Sequence, residues 1–149
     1  MQRDRLTADL FEWQPPKVVA GFEPGELAGD RLGSKISRAL ALALKSCGMS
    51  RADVAQAMTT KLGSPISEAM LDAYASEAKE GHRITLERFI ALIEVTGCND
   101  LLGLVAEQFD MVVVPARYAA LIELHLLDKH EQEVTRRKQA IQARWRAGR

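Results

Sequence analysis

Three histidines, two cysteines and one glycine-rich stretch ending in lysine are the residues of this chain that could do covalent or metal chemistry, and their spacing works against each. His125 and His130 stand five apart, so on a helix they lie about 140° apart and do not converge on a metal ion. They read as surface histidines. Cys47 and Cys98 have no CxxC spacing, which suggests two reduced thiols in a cytoplasmic protein and leaves a disulfide between them as the lesser option. The stretch Gly29 to Lys35 has the outline of a phosphate loop, but Ser34 separates the last glycine from the lysine and no strand precedes it. His82, in a polar loop, is the only histidine before the last helix, so no Ser, His and acid grouping or Cys and His grouping forms. The expectation is a non-enzyme with no metal, no cofactor and no small-molecule substrate.

What remains is chemistry of charge. Lys61, Ser64, Ser67, Lys79, His82 and Arg83 fall within about two dozen residues and are of the types that hold phosphate oxygens. The formal net charge is zero, yet charge is unevenly placed. The first 33 residues set Arg3, Arg5, Lys17 and Arg31 against Asp4, Asp9, Glu12, Glu23, Glu26 and Asp30, and the stretch from Ser34 to Pro115 is slightly acidic. The excess of positive charge lies from Ala116 onward, in Arg136, Arg137, Lys138, Arg144, Arg146 and Arg149. That run can be a phosphate-binding tail or the solvated face of a helix.

At 149 residues the chain suits one domain with appendages. Alanine, leucine, arginine and glutamate dominate while valine, threonine and tyrosine are few, which predicts an all-α fold. The N-terminus lacks a basic flank followed by an apolar run, and the longest apolar run, Ala39 to Leu44, is too short for a bilayer. A cytoplasmic protein without a membrane partner is expected.

Residues 1–33 form an irregular arm. They hold four of the ten glycines and three of the five prolines, interleaved with Leu10, Phe11, Trp13, Val18, Val19 and Phe22. Such an arm packs on its own domain or docks through Phe11, Trp13 and Phe22 on another subunit. Residues 34–110 predict five short helices. Ser34 caps the first, with Ile36, Leu40, Ala43, Leu44 and Cys47 inward and Gly48 as its stop. Ser50 and Asp53 cap the second, whose inner face is Val54, Ala55, Met58 and Leu62, with Gly63 beyond it. After the Ser64-Pro65 turn, Ser67 caps the third, to about Ser76, with Ile66 as staple and Leu71, Tyr74 and Ala75 inside. Thr85 caps Leu86 to Thr96, with Leu86, Phe89, Ile90 and Ile93 as an apolar stripe ended by Gly97. Asn99 or Asp100 opens the fifth, with Leu101, Leu102, Leu104, Val105 and Phe109.

Residues 111–149 are a short extended segment and a long helix. Met111 to Val114 is β-branched enough to add to a strand from another chain. From Pro115 no glycine or proline interrupts Ala116 to Ala147, which makes a helix of about 48 Å at 1.5 Å per residue. Ala120, Leu127, Val134 and Ile141 recur every seven residues, with Leu124, Glu131, Lys138 and Trp145 as companions. Leu121, Leu124, Leu127, Val134, Ile141 and Trp145 are therefore the candidates for homo-oligomerisation.

The second and third helices, joined across Gly63 and Pro65, have the layout of a helix-turn-helix, in which the first helix crosses the phosphates and holds the second in the major groove. In Val54-Ala55, Gly63, Ile66-Ser67, Leu71 and Tyr74, and in Arg83 to Ile93, the segment from Ser34 to Phe109 resembles the Cro and phage-repressor type of domain. The stretch Met70 to Glu77, with Arg83 to Gly97 and the charged C-terminal helix, resembles the small helix-turn-helix proteins of Mu-like transposable phages and prophages of the BcepMu kind. The resemblance implies a five-helix bundle in a bacterial host cell that binds double-stranded DNA, self-associates and acts in transcription regulation or transposition. It places Glu68, Ala69 and Ala73 at the family's base-reading positions. Glu68 can accept from a cytosine amino group and the alanines can touch a thymine methyl, but none makes a bidentate contact to a purine. The region from Thr59 to Lys61 is longer than the family pattern. DNA held largely through phosphates is the first reading, and an oligomeric protein-interaction or assembly module of the same fold is the alternative.

Overall fold

The computed structural model describes residues 17–27, 29, 31–79 and 81–148. The described chain is mostly helical, with α1 Leu32–Ser46, α2 Arg51–Leu62, α3 Glu68–Tyr74, α4 Leu86–Thr96, α5 Asp100–Glu107, a 3-10 turn Ala116–Tyr118, and α6 Ala119–Ala147. It divides into two units, Met1–Val113 and Val114–Arg149.

In the first unit α2 packs chiefly along α4 and also on α3, while α1 packs on α5 and α3. Leu40, Val54, Met58, Leu71, Leu92 and Leu101 are its fully buried centre, one or two from each helix. Three helices start, and two end, where the chain chemistry says they should. Ser50 accepts from the Asp53 amide at 3.1 Å, Ser67 from the Met70 amide at 3.2 Å and Thr85 from the Arg88 amide at 3.4 Å, satisfying donors that the first turn leaves open. Gly63 and Gly97 terminate α2 and α4 with φ of 65° and 68°, the left-handed conformation that a Cβ disfavours.

Three expectations need correction. Ser34 does not cap α1: the helix begins at Leu32, with Arg31 in the cap position making no side-chain cap bond. The Lys35 amide already bonds the Arg31 carbonyl at 3.1 Å, so Ser34 lies inside the first turn. On α4, Leu86 and Ile90 point outward, 73% and 49% exposed. The buried face turns about Leu92 with Phe89 and Val95 beside it, and Ile90, two residues back, sits about 160° round the helix. The segment after α5 finds its pairing within the chain. Val113 forms an isolated antiparallel bridge with Ala20, whose amide donates to the Val113 carbonyl at 2.9 Å.

That bridge belongs to a docked arm. Phe22 and Leu27 pack, partly buried, against the core cluster. The Gly21 amide donates to Asp100 Oδ1 at 2.8 Å, and Lys17 Nζ reaches the same oxygen at 3.4 Å. The approach is close enough to require a glycine in α5: a Cβ on Gly103 would stand 2.1 Å from the Ala20 carbonyl oxygen and 2.7 Å from the Gly21 Cα. Phe11 and Trp13 lie outside the described residues.

In the second unit Pro115 precedes the 3-10 turn and α6 runs 29 residues without burying a side chain. No helix among the described residues is long and apolar enough to cross a membrane.

Candidate nucleic-acid interface

The α2–α3 junction is built around one hydroxyl. Thr59 Oγ1 accepts the Ile66 amide at 2.9 Å and lies 2.8 Å from the Ala55 carbonyl, to which it donates. Thr59 thereby ties the turn from Gly63 to Ile66 onto α2, and Ile66, 7% exposed, closes the core beneath it.

α3 is only two turns long and buries Leu71, Ala73 and Tyr74. Ser67, Glu68, Ala69 and Asp72 face solvent. Ala73 is 4% exposed, so its methyl is covered and is not presented to a thymine. Of the three residues matched to base-reading positions, Glu68 and Ala69 are accessible. Asp72 is bound to its own domain: Arg51 Nε, at the start of α2, donates to Asp72 Oδ1 at 3.1 Å.

The far end of α3 is held by two further arginines. Tyr74 is nearly buried, and its hydroxyl accepts from Arg88 Nη1 on α4 at 2.5 Å. Arg38 on α1 pairs through Nε with Glu77 Oε1 and through Nη2 with Oε2, tying down the chain that leaves α3. Arg38, Arg51, Thr59 and Arg88 are positioning residues that the sequence reading did not single out. Their partners lie 39, 21, 7 and 14 positions away, beyond any local spacing rule.

The phosphate candidates separate into two groups. Lys61 Nζ forms an ion pair with Glu94 Oε2 at 2.7 Å, so its charge is offset across α2 and α4. Ser64 is half-buried in the turn, and Ser67 spends its hydroxyl on the α3 cap. Lys79, His82 and Arg83 are exposed and line one cleft of about 310 Å³ with Arg31, Ser34 and Ser37. The Arg83 guanidinium lies over Gly33, where a Cβ would meet Nη1 at 2.7 Å. Lys79 and Arg83, with the His82 imidazole beside them, are the members of the set that the fold brings together.

The thiols sit elsewhere. Cys98, at the start of α5, is pushed up from the ordinary thiol range by burial and then by the neighbouring Asp100 carboxylate. Among the described residues no three His, Cys, Asp or Glu side chains converge as a metal site would need.

The oligomerisation candidates on α6 are all open. Leu121, Leu124, Leu127, Val134, Ile141 and Trp145 are between 49% and 62% exposed. Phe22 packs on the bundle core instead. Set against known protein families, characterised proteins and solved structures, the chain matches none.

Proposed function

We propose that this chain is a self-associating helix-turn-helix protein of the transposable-phage type that binds duplex DNA largely through phosphates and acts in transcription regulation or transposition. The observation that carries the reading is the α2–α3 pair, capped at Ser50 and Ser67 and locked at Thr59, with the start of α3 open to solvent beside exposed Lys79, His82 and Arg83. A helix held in that way can enter a major groove, and the cations can position it on the backbone. Glu68 and Ala69 can add a contact to cytosine or thymine and no more, so sequence discrimination is weak.

The test is fluorescence anisotropy with a random duplex and with duplex from the region flanking the chain's own gene, between about 50 and 200 mM salt. Affinity should fall steeply with salt for both. Neutralising Lys79 and Arg83 together should lower the log–log slope by about two units. Adding Lys61→Gln should change it little further, because Glu94 already offsets that charge. Absence of binding at the lower salt, or tight binding indifferent to salt, overturns the proposal.

A second reading rests on a specific observation. Two charges of the motif are neutralised inside the domain, Asp72 by Arg51 and Lys61 by Glu94, while Leu86 and Ile90 on α4 and Val105 and Phe109 near α5 stay exposed. Apolar side chains beside an electrically quiet motif suit a protein surface better than a polyanion. On that reading the same fold is an interaction or assembly module, and the anisotropy titration shows no binding.

A further inference from the structure

We propose that α6 pairs with α6 of a second copy of this chain, and that the two helices run antiparallel. This rests on the self-association reading and adds its geometry.

None of the side chains on this 29-residue helix is buried, and packing is where most helical stability comes from. Its apolar residues nevertheless form a seam. Ala120, Leu124, Leu127, Val134, Ile141 and Trp145 follow the alternating four- and three-residue step of a two-stranded coil, with Glu131 and Lys138 filling the two positions between them.

Charge selects the occupant and its direction. The first half of α6 holds Glu123, Asp128, Glu131 and Glu133 against the single Lys129. The second half holds Arg136, Arg137, Lys138, Arg144 and Arg146 and no acid. Compensation of the helix's own dipole does not explain this division, because that effect is confined to the first and last turns and the boundary here lies mid-helix. A parallel, in-register pair would set acid against acid and base against base along its length. In its seam Glu131 would face its own copy, and so would Lys138.

Reversing one helix removes both conflicts. The register that overlaps the whole helix sets Ala120 against Trp145 of the second copy, a small side chain against a large one, and Leu124 against Ile141. Leu127 then faces Lys138, Val134 faces Glu131, and Glu131 lies one layer from the other copy's Lys138. At the margin, Glu123 flanks Arg144 of the second copy. Charged residues in a seam cost stability but discriminate among registers and orientations, which is the use this arrangement makes of them.

Sedimentation equilibrium on the full chain tests this with Glu131→Lys, Lys138→Glu and the double variant. Both sites are exposed in the single chain, so the bundle fold is untouched, and circular dichroism checks it. In the antiparallel pair each single variant creates two like-charge contacts and should raise the dimer Kd about tenfold, and the double variant should restore it to within a few-fold. Single variants that leave Kd unchanged, or a double variant no better than the singles, overturn the antiparallel orientation while leaving self-association standing. A wild-type chain that stays monomeric at the highest concentration overturns self-association and the pairing together.

Discussion

Replacing Gly103 by alanine should destabilise the bundle, against the usual rule. Glycine inside a helix costs about 1 kcal/mol relative to alanine, so a free position would be stabilised by that amount. Gly103 is not free: a Cβ there would sit 2.1 Å from the Ala20 oxygen, 2.6 Å from its carbonyl carbon and 2.7 Å from the Gly21 Cα, all backbone atoms with no rotamer to turn away. The arm must lift. Lifting it breaks the Ala20 to Val113 bond and the Gly21 to Asp100 bond, worth about 1 kcal/mol for the first and about 1.5 to 3 for the second, which ends on a carboxylate. Loosening Phe22, partly buried, adds about 1 kcal/mol. The exposed Lys17–Asp100 pair adds nothing dependable. After the helix-propensity gain the net loss is about 2.5 to 4 kcal/mol. Urea unfolding gives the magnitude and amide exchange gives the cause, since the Ala20 and Gly21 amides should lose their protection. A Gly103→Ala chain that is stabilised by about 1 kcal/mol with both amides still protected would refute the close approach of arm and helix.

Two smaller perturbations probe the motif and the thiol. Thr59→Val keeps the shape and removes the acceptor of the Ile66 amide, so the variant should lose about 1 to 3 kcal/mol by urea unfolding, while Thr59→Ser retains most of the stability. Thr59→Val as stable as the parent would mean that water satisfies the amide. For Cys98, burial holds the thiol protonated to higher pH, so the pH midpoint of its alkylation rate in the native chain should lie above that of the same thiol in denaturant. Coincident midpoints would contradict the burial. The sign carries to stability: the folded thiol binds its proton more tightly than the unfolded one, so stability declines as pH rises through the unfolded thiol's pKa.

Local chemistry made the helices legible. Ser50, Ser67 and Thr85 cap as their spacing predicts, and Gly63 and Gly97 stop helices because the left-handed turn suits them. The failures are those of residues whose fate depends on distant partners. A serine three residues into α1 looks like a cap until the chain upstream is seen to supply the first carbonyl. Leu86 and Ile90 have helical spacing, but the side of α4 that packs into the core runs through Phe89, Leu92 and Ile93. Ala73 matches a base-reading position by number, yet it is buried, although it lies about 160° round the short α3 from Leu71 and outside the core cluster that holds Leu71 and Tyr74. The Ala20–Val113 bridge and the Gly103 contact were illegible because each joins positions more than 80 residues apart.

The same distance effect changes what the acids on α3 mean. Read along the sequence, Glu68 and Asp72 together make α3 repel a phosphate backbone. In the folded domain Arg51 is committed to Asp72 and Glu94 to Lys61, so those four charges cancel in pairs close to their own helices. Screened pairs of this kind contribute little field beyond a Debye length, about 10 Å at 0.1 M salt. Around α3 the exposed charges with no ion pair of this kind include Glu68 at its start and Lys79 and Arg83 beyond its end. That balance tilts positive at one end of a short helix, which fits a protein that touches phosphates with the loop after α3 and reads few bases with α3 itself. The proposed phosphate-led mode requires the charge of Glu68 to be outweighed by Lys79 and Arg83.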